Sequence, residues 1–222
     1  QMRVSDAANR LANSLPTRDL EELGDVWTQF DSLSRQSYFR MATTTLERSL
    51  VERTTTVSDR VIANYRTLSP TVREAQWRTA RELLVRAVGV APGNRQLRAS
   101  LRYCEGHLHR INGEAQKGRH EGDEGQRELT EAVASFREAA ELRPGWPDPF
   151  LGLTRTFVYG LDDVDRGADA LRQAERNGHA ANERETAQLA DGYRIRGNTL
   201  VRNARELTGT PQERDYLSRA AE

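Results

Sequence analysis

Cysteine, lysine and net charge are nearly absent from this sequence. One cysteine, Cys104, stands among 222 residues, which excludes an internal disulfide framework. Of the 33 basic residues only Lys117 is lysine; the other 32 are arginine. Those cations meet 33 Asp and Glu side chains, so the formal charge is zero and the basic surplus of a nucleic-acid binder is missing. No apolar run approaches the roughly 20 residues that a membrane helix needs. Hydrophobic residues make up 36% of the chain, below the 45–50% or so of a typical globular protein, so any core is thin. The first residue is Gln1 with no hydrophobic signal region after it, which reads as a processed or excised piece of a longer protein.

What is present is helical periodicity. Only seven prolines interrupt the chain. Between them Ala7, Leu11 and Leu15 recur every four residues, and Leu20, Leu23, Trp27, Phe30 and Leu33 follow at spacings of three and four. A third stripe, Leu46, Leu50, Val57, Val61, Tyr65 and Leu68, holds one helical face across residues 38–68. Its weakest point is Thr54-Thr55-Thr56-Val57, whose β-branched side chains favour a strand and predict a break or kink. Ser69-Pro70, with Thr71 and Glu74 as a capping box, opens the next helix, which Pro92-Gly93-Asn94 stops. Leu97, Leu101, Cys104, Leu108 and Ile111 form another stripe. Residues 112–126, with four glycines among polar side chains, read as an exposed flexible loop. Helical spacing returns at Arg127, stops at Pro144-Gly145, resumes at Asp148 and runs on to Glu222. The expected class is all-α.

A repeat runs through the second two thirds. Ala80, Leu84, Ala87 and Pro92 recur in spacing as Ala132, Phe136, Ala139 and Pro144, and again as Gly167, Leu171, Ala174 and His179. Small residues let a second helix approach, the bulky residue fills the groove between them, and proline ends the helix. The pattern resembles the second helix of a tetratricopeptide repeat. Phe150, Leu153 and Phe157 stand where that family's first helix carries Trp, Leu and Tyr, with Thr154 in place of the usual glycine, and Leu189-Ala190 and Tyr193 start a further match. Ala132 and Gly167 lie 35 residues apart, one more than the 34-residue repeat, and Ala80 and Ala132 lie 52 apart. The resemblance covers residues 69–222 and implies an α-solenoid of antiparallel helix pairs with a flexible insertion at 112–126. Residues 1–68 match poorly and read as a divergent helical cap or connecting region.

Catalytic equipment is not visible. No G-x-S-x-G, phosphate-binding loop or G-x-G-x-x-G occurs. Cys104, Glu105, His107 and His109 cluster in sequence, but at about 100° per residue His107 and His109 point to opposite sides of a helix. Cys104 reads as a core residue between Leu101 and Leu108. Asp162, Asp163 and Asp165 read as a solvated turn, lacking the longer ligand series of a calcium loop. Residues 1–92 carry 13 basic and 11 acidic side chains and residues 93–222 carry 20 and 22, so neither part is polarised. The scarcity of lysine reads as arginine-favouring codon usage. No metal, cofactor or enzymatic role is expected.

By the same resemblance the first helices line a concave groove that binds a protein or peptide segment. The groove-facing register offers Leu151, Arg155, Val158 and Tyr159, then Gln188, Asp191 and Arg194, and before them Ser100, Tyr103 and His107. Tyrosine and arginine carry interface energy most often. The candidate partner-binding residues are therefore Tyr103, His107, Arg155, Tyr159, Asp191 and Arg194. The alternative expectation is a sensory or regulatory region, cytoplasmic or extracytoplasmic, of a bacterial membrane-anchored signalling protein such as a serine/threonine kinase. A homodimer through the last helix is open in either case.

Overall fold

The computed structural model describes residues 2–66, 72–119 and 122–221, and within them every side chain except those of residues 38–40 and 122. Leu68, the Ser69-Pro70-Thr71 cap, the boundary after residue 68, His120 and Glu222 lie outside the described residues. Among the described residues all regular structure is helical, as the periodicity predicts. The helices are α1 (Met2–Ser14), α2 (Leu23–Gln36), α3 (Thr44–Tyr65), α4 (Glu74–Val90), α5 (Arg95–Gly118), α6 (Gly122–Leu142), α7 (Asp148–Arg155), α8 (Val164–Arg176), α9 (Glu183–Glu206) and α10 (Pro211–Ala221). Short 3₁₀ turns occupy Leu15–Thr17 and Tyr38–Thr43, and a π-helical turn, Thr156–Gly160, follows α7. The chain divides into two compact units, Gln1–Leu108 with Glu141–Pro144, and His109–Ala140 with Gly145–Glu222.

In the first unit α3 packs against α1 and α4, and α2 packs against α1, α3 and α4. Most of the predicted stripe positions are buried, namely Leu23, Trp27 and Phe30 on α2, Leu46, Leu50, Val57 and Val61 on α3, and Ala80, Leu84 and Ala87 on α4, whereas Ala7, Leu11, Leu20 and Leu33 are only half-buried. Each large side chain so buried contributes about 1.5–3 kcal/mol. The threonine run does not break α3. Thr55 and Thr56 each donate a hydroxyl hydrogen bond to the carbonyl four residues back, at 2.8 and 3.0 Å. Buried Thr54 accepts from the indole N–H of Trp27 at 3.1 Å. Their hydroxyls are satisfied within α3 or, for Thr54, by α2, and propensity yields to packing.

The second unit corrects the expected loop at residues 112–126. Helix α5 continues to Gly118 and α6 already begins at Gly122. The glycines are there for proximity: a Cβ on Gly125 would stand 3.1 Å from the Lys117 nitrogen and 3.2 Å from the Gly113 carbonyl. The two helices meet backbone to backbone, which side chains would prevent. Further on, α7 packs on α8, α8 on α9 and α9 on α10. The repeated positions Ala132, Phe136, Ala139, Leu153, Phe157, Leu171 and Ala174 are all buried. Thr154, standing where the repeat family has glycine, is fully buried with its hydroxyl donating to the Phe150 carbonyl at 2.9 Å. The small residue that takes the bulky side chain is Gly152, where a Cβ would stand 2.5 Å from the Phe136 ring.

The 35 residues between Ala132 and Gly167 include a turn of unusual helical geometry. In the turn Thr156–Gly160 the Leu161 N–H reaches back five residues to the Thr156 carbonyl at 3.0 Å. Such a turn takes one more residue than an α-helical turn, and it contains Phe157.

Candidate functional site

Four of the six candidate residues come together in the second unit. Arg155 closes α7, Tyr159 lies on the π turn, and Asp191 and Arg194 share a face of α9. The Tyr159 hydroxyl donates to Asp191 Oδ2 at 3.2 Å, and Arg194 Nη2 lies 3.2 Å from Asp191 Oδ1. Arg155 stacks over the Tyr159 ring at 5.7 Å, and its Nε stands 3.5 Å from Glu114 Oε1. Glu114 in turn accepts from Arg110 Nη1 at 2.8 Å. A continuous polar chain thus runs from Arg110, only 5% exposed in its side chain, out to Arg194, 64% exposed.

Burial first, and then the hydrogen bond to Asp191 and its negative charge, push the Tyr159 phenol above its ordinary value. Beside this chain a hollow of about 290 Å³ is lined by Val158, Asp162, Val164, Gly192, Ile195, Arg196, Thr199, Leu200 and Arg202. It has an apolar floor and a charged rim, the composition by which side chains of a ligand are held and oriented. Arg196 is tied to Asp165 by two contacts of 3.0 and 3.1 Å and stacks over exposed Tyr193 at 5.1 Å.

Tyr103 and His107 are not surface residues. Both are fully buried in the first unit. His107 lies flat against Trp77, with ring centroids 4.3 Å apart, and Tyr65 and Tyr103 close on it at 4.4 and 4.6 Å. The expected stripe on α5 is displaced: Leu101 and Leu108 are only half-buried, whereas Ala99, Ser100, Tyr103, Cys104 and His107 are buried. A face that α3 and α4 cover with Tyr65 and Trp77 cannot receive a partner. Leu151, Val158, Gln188 and Ser100, placed in the groove by register, are likewise buried.

Cys104 is a core residue. It is fully buried, and burial first, then the charges of Glu105 and Asp59, push its thiol far above the usual range, which leaves it unreactive. The Asp162–Asp165 turn is not merely solvated, because each carboxylate has a task. Asp163 caps α8, accepting from the Arg166 N–H at 2.9 Å, while Asp162 and Asp165 pair with Lys117 and Arg196. Among the described residues no group of three His, Cys, Asp or Glu side chains is placed to hold a metal ion.

Arg110 and Glu114 were not singled out by sequence. Their i, i+4 spacing was visible, but a helix expected to end near residue 111 stops short of Glu114. No family model, curated protein or solved structure matches the chain.

Proposed function

We propose that this chain is a non-enzymatic helical-repeat scaffold of tetratricopeptide type, whose second unit binds a protein or peptide segment along α7, the π turn and α9. The observation that carries this reading is the Tyr159–Asp191 hydrogen bond, flanked by Arg155 and Arg194, next in sequence to Val158 and Gly192 of the hollow. It brings together two arginines and a tyrosine, the side chains that most often carry binding energy, on what this reading takes as successive first helices. Support for the repeat itself comes from burial of its small and bulky positions and from the consecutive packing of α7, α8, α9 and α10.

The test is selection of peptides from a displayed library on the wild-type protein, followed by affinity measurement on Arg194→Glu and Asp191→Arg. Both positions are exposed enough for helicity to survive, which circular dichroism checks. Selected peptides should bind either variant about tenfold or more weakly, a difference of about 1.4 kcal/mol. Peptides that bind wild type and both variants alike would place the binding surface elsewhere.

A further inference from the structure

We propose that Lys117, the only lysine in the chain, is a clamp on the π turn that arginine cannot replace, and that acylation of its amine releases the turn. Three acceptors converge on its Nζ: the carbonyl of Tyr159 at 3.4 Å, the carbonyl of Gly160 at 2.9 Å, and Asp162 Oδ2 at 2.6 Å. The two carbonyls lie at the end of the π turn, where helical groups run out of partners and a cation is favoured. Asp162 follows with φ of 53°, a left-handed conformation unusual for a side chain other than glycine. The ion pair with Lys117 holds it there.

An ammonium carries three N–H bonds on one tetrahedral nitrogen and meets three clustered acceptors at once. A guanidinium spreads its donors in a plane, two at most per nitrogen, and has no such arrangement. Lys117 stands at a position where this difference between the two cations matters. The amine is also within reach of reagents, its side chain being 40% exposed. With an anhydride or thioester as acyl donor, the neutral amine attacks the carbonyl carbon. A C–N bond forms, the bond to the carboxylate or thiolate leaving group breaks, and the amine proton passes to solvent. The product amide is uncharged and keeps a single N–H. It cannot hold three acceptors, so the turn bearing Tyr159 and Asp162 loosens.

Hydrogen exchange reads this without any binding partner, so its outcome is separate from that of the peptide-binding proposal. The informative amides are Leu161, bonded to the Thr156 carbonyl, and Asp163, bonded to the Phe157 carbonyl at 2.8 Å. Lys117→Gln, and wild-type protein treated with acetic anhydride, should exchange these amides about tenfold faster or more, while the middle of α8 keeps its protection. Lys117→Arg should fall short of wild type. Unchanged exchange in the glutamine variant or the acetylated protein overturns the clamp, and wild-type protection in the arginine variant overturns the requirement for lysine. Asp162→Asn gives a second route if the glutamine variant folds poorly. On its own it should accelerate the same two amides by a smaller factor, and equal exchange with wild type would sink the proposal.

Discussion

The two units put a tyrosine at groove-facing register to opposite ends. In the first, Tyr103 and His107 lie one turn apart on α5 and are enclosed with Tyr65 and Trp77 in an aromatic box. In the second, Arg155 and Tyr159 lie one turn apart at the end of α7 and remain half-exposed, joined to Asp191 and Glu114 by polar contacts. Helical register alone treats the two pairs as equivalent. What separates them is whether another helix lies over the face: α3 and α4 bring Tyr65 and Trp77 onto the first pair. The second pair meets the polar side chains of Asp191 and Glu114 instead. A repeat pattern therefore locates helix faces, and the neighbouring helices decide which face is core.

If the aromatic box is core, emptying it should produce the largest effect in the molecule. Trp77 is fully buried and touches both Tyr103 and His107. Trp77→Ala should cost about 3–5 kcal/mol in urea unfolding, from lost transfer energy plus the cavity left behind. Cys104 gives an independent readout, since its buried thiol reacts only when the unit opens. Labelling should be slow in wild type and at least tenfold faster in the variant. A loss below 1 kcal/mol or so would mean that this face is not core, and the contrast between the units would fail.

The next effect tests the second unit's packing rather than its surface. Gly152→Ala adds one methyl group where the Phe136 ring leaves no room. Alanine is the better helix former by about 1 kcal/mol, yet overpacking of this kind costs about 1–3 kcal/mol, so a net loss near 1 kcal/mol is expected. In a Phe136→Leu background the penalty should shrink or change sign, because the smaller side chain yields space. If Gly152→Ala stabilises the native protein instead, the helices do not approach as closely as the repeat geometry requires.

Much of this was legible in the sequence, and the misses have physical causes. Ala80, Leu84 and Ala87, or Ala132, Phe136 and Ala139, are buried because a small–bulky–small pattern has few other uses on a polar helix. Residues 112–126 look like a loop in sequence because glycine signals both a flexible loop and a close helix contact. Only the partner backbone, here Gly113 opposite Gly125, distinguishes the two. The threonines of α3 look like a break in sequence because propensity ignores where their hydroxyls bond. The burial of Tyr103 and His107 is invisible in sequence because it depends on Tyr65 and Trp77, which are distant in sequence and set no local pattern. Lys117 was visible as a count, but its meaning needed the three acceptors converging on it.

The smallest effect sharpens the comparison most, since it separates a surface aromatic from a core one by chemistry instead of stability. Tyr159→Phe removes only the hydroxyl that donates to Asp191. At neutral pH the loss should be under about 1 kcal/mol, the net worth of a part-exposed hydrogen bond. The signature lies in alkali. The folded phenol holds its proton above the ordinary value of 10.0, so its contribution to stability is full below that pH and is lost as pH rises through the folded value. Wild type should therefore lose stability in this window more steeply than the phenylalanine variant. A phenolate absorbance titration should show that the tyrosine missing from the variant is one that ionises late. If the missing tyrosine ionises near 10, the hydroxyl faces water and not Asp191 in solution. The polar chain would then be broken at its centre, and Arg155 and Arg194 would belong to two separate surfaces.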